Sequence, residues 1–178
     1  MTRLHTVPVD QATGRSAELF RAITASLGRV PNAYAAIGAN SPLALESALA
    51  LDAALRKSSL SAREIEIVKL SVSAVAGCDY CLAAHSMMGR HAGLSREAIA
   101  ALRAGGPTGD AAIDALAGFV RRLSGTRGTV PASVLDEVRA AGYGDAQVVD
   151  ILLAMASINF TNLFNRVNDT ALDFPAPH

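Results

Sequence analysis

The stretch Ser61-Ala-Arg-Glu64-Ile-Glu66-Ile-Val-Lys69-Leu-Ser-Val-Ser73-Ala-Val-Ala-Gly77 decides the fold. Ser61 and Glu64 fit a capping box, in which the hydroxyl meets the backbone N–H three residues on and the carboxylate reaches back, so a helix begins here. It is expected to run to Ala76 and to stop at Gly77, a residue suited to the left-handed turn of a helix end. A second helix is expected from near Cys78 to near Gly93. Ser95 then caps a short one over residues 96–103, and Gly105-Gly106-Pro107 forms a loop.

The pattern continues in both directions. Toward the amino terminus, Leu19, Phe20, Ile23 and Leu27 recur at helical spacing over residues 16–28, a short helix follows Pro31, and Pro42 opens a segment to Lys57 that Ser58-Ser59 breaks. Toward the carboxyl terminus, residues 110–123, 131–141 and 145 to about 172 supply three more, the last the longest and expected to be central. All seven prolines fall where helices start or stop, and no run reads as a strand. With 35 alanines, residues that lose no side-chain entropy in a helix, the chain of 178 residues reads as one all-α domain, a bundle of six to eight helices.

Composition excludes several functions. Sixteen basic residues balance sixteen acidic ones and only two are lysines, which leaves no cationic face for a nucleic acid. Aromatic residues make up 4% with no Trp, so base-stacking platforms are scarce. The opening residues lack the apolar core of a signal peptide, and the least charged stretch, residues 151–165, is interrupted by Ser157, Asn159, Thr161 and Asn162. A soluble cytoplasmic protein, away from membranes, is expected. Gly105-Gly106-Pro107-Thr-Gly109 lacks the Lys-Ser or Lys-Thr of a phosphate cradle, and no Gly-x-Ser-x-Gly elbow occurs.

The only two cysteines stand as Cys78-Asp-Tyr80-Cys81, with His85 one turn further on. At about 100° per residue the three side chains fall within roughly 60° of one helix face. Ordinary thiols are ~3% ionised at neutral pH, whereas a neighbouring His or a helix start can lower the pKa to roughly 3.5–7.5. The helix start favours the thiolate on Cys78, and His85 favours it on Cys81; spacing leaves the order open. Glu66 lies on a stripe through Leu70, Ser73 and Gly77 that leads to the cysteines, where it would orient His85 and pass a proton; a solvated face is the alternative. Glu64 is accounted for by its cap. Taken as metal ligands, Cys78, Cys81, His85 and Glu66 lack a second Cys or His pair: His91 is off the stripe, and His5 and His178 are terminal. Leu82 after Cys81 rules out a haem-attachment pattern.

The segments Arg63-Glu-Ile-Glu66 and Ser73-Ala-Val-Ala-Gly-Cys78-Asp-Tyr-Cys81-Leu-Ala-Ala-His85-Ser86 resemble the core, residues 61–93, of the alkylhydroperoxidase D and carboxymuconolactone decarboxylase family. Pro31-Asn32, the Ala-Gly-Leu-Ser95 exit, Ala140-Ala-Gly-Tyr-Gly-Asp145 and Asn165-Arg166 extend the resemblance to its peroxidase-related members over nearly the whole chain. The resemblance implies an all-helical, alkylhydroperoxidase D-like fold that assembles as trimers or multiples of them. It also implies a thiol peroxidase that needs no cofactor or metal, takes a small-molecule hydroperoxide and is restored by an external dithiol. By position, Cys81 would attack the peroxide, Cys78 would resolve it, His85 would serve Cys81, and Glu66 would complete the relay. Where the better-known alkylhydroperoxidases carry a second His, this chain has Tyr80, so a shorter relay or use of the Tyr80 hydroxyl is implied. The non-redox branch, which isomerises or decarboxylates small lactones, needs no cysteine pair, and a non-catalytic helical assembly would leave both thiols inert.

The remaining polar features read as structural. Asn159, Asn162, Asn165 and Arg166 would line a substrate pocket or subunit contact or, the commoner role, tie buried helices together; Met87-Met88 pack in the core, and Arg121, Arg122 and Arg127 form a solvated patch. An alanine-rich, aromatic-poor domain has modest apolar area per residue, so burial of a shared face between copies is a further expectation.

Overall fold

The computed structural model describes residues 2–126 and 128–175, so the expectations for Arg127, Pro177 and His178 lie outside the described residues. After a short 3-10 turn at Val9–Gln11 come α1 (Gly14–Leu27), α2 (Asn32–Asn40), α3 (Pro42–Leu55), α4 (Ala62–Ala76), α5 (Asp79–His91), α6 (Arg96–Ala104), α7 (Ala111–Thr126), α8 (Ala132–Ala140) and α9 (Asp145–Asn168). Among the described residues there is no strand. Among the described residues the all-α bundle holds nine α-helices, close to the expected six to eight.

The signals that opened the reading act locally as expected. Ser61 Oγ accepts from the Glu64 N–H at 3.2 Å, and Glu64 Oε2 accepts from the Ser61 N–H at 2.7 Å. Gly77 ends α4 at φ 62°, where a Cβ would also lie 3.1 Å from the Arg166 guanidinium. Space decides Gly38 instead, because a Cβ there would sit 2.6 Å from the Phe20 ring, inside the smaller core of α1–α3.

The centre of the bundle is α4, not the last helix. Every residue from Ile65 to Ser73 is buried, against α5, α6, α7 and α9, as expected of a helix covered on all sides. By length and composition α9 would cross a membrane. It lays Ile151, Ala154, Met155 and Ile158 into the core, however, and turns Val149, Leu152, Phe160, Leu163 and Val167 outward. It also stops at Asn168, short of position 172, because Asp169 adopts the left-handed conformation at φ 53° and the Thr170 N–H bonds back to the Asn165 carbonyl. The freed residues 170–175 form a strap that brings Asp173, Phe174 and Pro175 to the wall of a cavity.

Candidate active site

Cys78 is the residue before α5 rather than a member of it, with extended φ −98° and ψ 96°. Helical phase therefore does not place it; the turn after Gly77 does. Cys81 and His85 follow on α5, and both cysteines are reduced and buried. The Cys81 thiol donates toward Cys78, and this contact, the adjacent Cys81 N–H and the charge of Arg166 bring Cys78 down to about 7 against the cost of its burial. Cys81 moves the opposite way, pushed up by that same contact and by burial. Both thiols are almost fully buried, and of the two Cys81 lines the cavity.

Glu66 and His85 meet as the α4 stripe required, His85 Nδ1 and Glu66 Oε2 standing 2.7 Å apart. Both residues are only 8% exposed, so the solvated-face alternative for Glu66 is set aside. His85 reaches the cavity wall and Glu66 sits behind it. The carboxylate thus fixes one ring nitrogen and leaves the other for chemistry.

The cavity holds about 500 Å³. Its apolar walls include Leu27, Ile158, Phe174 and both Met87 and Met88, so the methionine pair lines this space instead of filling the core, and Met88 is 41% exposed. Tyr80 is committed elsewhere than to a proton relay. Its hydroxyl accepts from the Ala33 N–H at 3.1 Å and donates to Asp173 Oδ1 at 2.8 Å, and its ring meets Phe174 edge-on at 5.4 Å. Asp173 further receives Arg29 Nη1 at 2.5 Å and the Asn32 N–H at 3.0 Å. Burial and Asp173 drive the Tyr80 hydroxyl well above its ordinary value, so it stays protonated as a clasp for the strap.

The polar residues singled out on α7 and α9 divide between structure and site. Asn162 does tie helices, accepting from Ser73 Oγ at 3.1 Å, and Asn159 is exposed. Asn165 instead donates to Cys81 Sγ at 3.3 Å, and Arg166 donates to the Ala76 carbonyl while its charge reaches Cys78. Arg121 donates to the Leu102 carbonyl at 3.2 Å and Arg122 pairs with Glu137 at 2.8 Å, so the first is a helix clamp and only the second a surface ion pair.

A second ion pair lines the same cavity. Lys69 Nζ donates to Asp52 Oδ1 at 2.9 Å, that oxygen also accepts from Ser157 Oγ at 2.9 Å, and Tyr34 donates to Asp52 Oδ2 at 3.3 Å. Burial opposes charge on Asp52, but the Lys69 ammonium and the two hydrogen bonds to that oxygen hold its carboxyl below the ordinary value. Burial and the Asp52 charge push Tyr34 upward. One signal pointed here: Lys69 is a cation amid an otherwise apolar stretch of α4. Among the described residues no three His, Cys, Asp or Glu side chains gather as a metal-holding group.

Residues 42–121 match the carboxymuconolactone decarboxylase family. No curated protein matches the chain in sequence. In solved structures, the chain is similar to an uncharacterised peroxidase-related protein with an alkylhydroperoxidase AhpD core from Ralstonia eutropha, at TM-score 0.84 and 17% identity over 97% of this chain and 92% of that one. An Agrobacterium tumefaciens protein of unknown function, for which an AhpD antioxidant-defence role has been suggested, gives TM-score 0.68 and 28% identity over 75% and 92% of the two chains. The debrominase Bmp8, as an alanine-for-cysteine variant in complex with 2,3,4-tribromopyrrole, gives TM-score 0.80 and 19% identity over 99% and 94%.

Proposed function

The chain belongs to the carboxymuconolactone decarboxylase family and has the alkylhydroperoxidase D-like fold, and from that premise we propose that it is a cytoplasmic thiol peroxidase working through Cys78 and Cys81. The observation that carries this reading is the placement of the sulfurs: Cys81 stands on the wall of the 500 Å³ cavity beside His85, with Cys78 in contact with it from outside that wall.

The Cys81 sulfur, at the cavity wall, attacks the terminal oxygen of a hydroperoxide while the Cys78 thiolate takes the Cys81 proton, so no free Cys81 thiolate has to form ahead of the attack. The O–O bond breaks, the alkoxide takes a proton from His85 and leaves as an alcohol, and Cys81 becomes a sulfenic acid. His85, held by Glu66, next accepts the Cys78 proton; the Cys78 thiolate attacks the Cys81 sulfur, and hydroxide leaves as water with that proton. The disulfide is then reduced by an external dithiol through thiol exchange. Asn165, donating to Cys81 Sγ, steadies the sulfur as it takes on charge. Two thiols and one hydroperoxide thus yield a disulfide, an alcohol and water, which is chemistry the non-redox lactone branch does not use. Leu43, Leu163 and Val167, between 59% and 74% exposed, support assembly of several copies, a trimer or a multiple of it.

Consumption of cumene hydroperoxide, supplied with several dithiol donors, tests the reading. The unaltered protein should turn over and form the Cys78–Cys81 disulfide, Cys81→Ser should be inert, and Cys78→Ser should accumulate a sulfenate that dimedone traps. Undiminished turnover by Cys81→Ser rejects it. A brominated pyrrole serves as a second oxidant: turnover of it without peroxide consumption would assign the dithiol to dehalogenation instead.

A further inference from the structure

The relay described above leaves the second ion pair of the cavity idle. Tyr34, Asp52, Lys69 and Ser157 come from four different helices, α2, α3, α4 and α9, and all four line the cavity that Cys81 and His85 also line. Asp52 accepts three hydrogen bonds: one oxygen holds Lys69 and Ser157, the other holds Tyr34. Lys69 makes fewer than it can. An ammonium has three N–H donors. Among the described residues only Asp52 Oδ1 receives one, although the Lys69 side chain is 9% exposed. Two donors of a buried cation therefore remain on the wall of the cavity, and leaving such groups without acceptors is costly.

We infer that Lys69 is a carboxylate-recognition residue, and that the substrate is an organic hydroperoxide bearing a carboxylate. This rests on the peroxidase reading and extends it to the substrate. A hydroperoxide group fills little more than the ~30 Å³ share of one or two waters, against the 500 Å³ available. The remaining space has apolar walls at Leu27, Met87, Ile158 and Phe174 that suit an organic body. With Asp52 already holding three donors, the spare N–H groups of the Lys69 ammonium are the cationic feature of this corner, and they favour an acceptor. A charged acceptor makes the stronger bond. Asp52, Tyr34 and Ser157 are positioning residues: Asp52 aims the ammonium, and Tyr34 and Ser157 hold Asp52 in place. Lys69 stands one turn along α4 from Glu66, which places the carboxylate end beside the His85 relay and favours a short separation between carboxylate and peroxide.

Two measurements test the inference. In the first, calorimetry with benzoate and with methyl benzoate is run on the reduced unaltered protein and on Lys69→Met, with Lys69→Gln as the variant to use should the methionine protein fail to fold. Benzoate should bind the unaltered protein and bind the variant about tenfold or more weakly, while methyl benzoate should not discriminate between them. In the second, kcat/KM is compared for cumene hydroperoxide and its para-carboxylate, and the carboxylate-to-neutral ratio should fall about tenfold or more in the variant. Equal benzoate binding by both proteins, an unchanged ratio, or equal loss of the ester and the acid each overturns the assignment. If the unaltered protein consumes no peroxide yet benzoate binding depends on Lys69, the peroxidase reading fails and the carboxylate site stands.

Discussion

Two buried pairs of carboxylate and base share one cavity and one helix, yet they differ in origin and in what they can do. Glu66 and His85 come from consecutive helices joined by a turn at Gly77, and their partner atoms stand 2.7 Å apart. Asp52 and Lys69 bring α3 to α4 at 2.9 Å, and Ser157 adds α9, 105 positions along the chain from Asp52. The first pair contains an imidazole, a group that can give and take a proton during turnover. The second sets an ammonium against a carboxylate, so it orients and attracts. The difference teaches that a proton relay can be assembled by local geometry, whereas a fixed charge in a cavity needs acceptors gathered from across the bundle.

Removing the carboxylate from each pair separates the two roles. Glu66→Gln should lower the peroxidase kcat by about 10²-fold or more, since general acid–base catalysis is worth 10²–10⁴. Folding should be nearly unaffected, because the amide still reaches the ring. Rapid-mixing kinetics beside thermal melts distinguish these outcomes, and full activity in the amide variant would remove Glu66 from the relay.

Asp52→Asn should show the reverse, costing about 2–4 kcal/mol of stability by leaving the Lys69 charge uncompensated. The lowered Asp52 value sets a pH signature as well. A carboxyl held below its ordinary value contributes stability that is fully present above about pH 4 and is lost as pH falls through the lowered value. Acid titration of the melting temperature should therefore be shallower below about pH 4 in the variant. Equal slopes would show that Asp52 does not carry this linkage.

The smallest effect belongs to the strap. Tyr80→Phe removes the hydroxyl that joins Ala33 to Asp173 and should cost about 1–2 kcal/mol, a melting-temperature drop of roughly 2–6 °C. The pH profile of peroxide consumption should stay in place, because the hydroxyl clasps the strap and takes no part in the relay. A shifted profile would restore Tyr80 as a proton carrier and weaken the contrast between the two pairs.

The legible part of the site was the part built from neighbours in sequence. Spacing put Cys81 and His85 on one helical face, and the Ser61 cap fixed where α4 starts, hence which way Glu66 points. Spacing misplaced Cys78, which sits in the turn before the helix, and it left open which sulfur takes the charge. That order depends first on the contact between the two sulfurs and then on the charge that Arg166 brings from α9. Asn165 was read as a tie between helices because an amide in a buried helix looks the same whether it meets a carbonyl or a thiol. The end of α9 was overrun by four residues, since Asp169 is an ordinary helix residue by pattern and left-handed only in the folded chain.

Local chemistry by itself determined that this chain is helical, where most of its helices begin, and that two thiols, an imidazole and a glutamate converge, because capping, glycine turns and 3.6-residue periodicity act over a few positions. Tertiary packing alone decided that α4 is the centre, that a strap closes over Tyr80, and that Lys69 faces a cavity with donors to spare. Those outcomes depend on which helix faces meet. Burial, which sets the cost of every charge and unmade hydrogen bond, exists only after they have met.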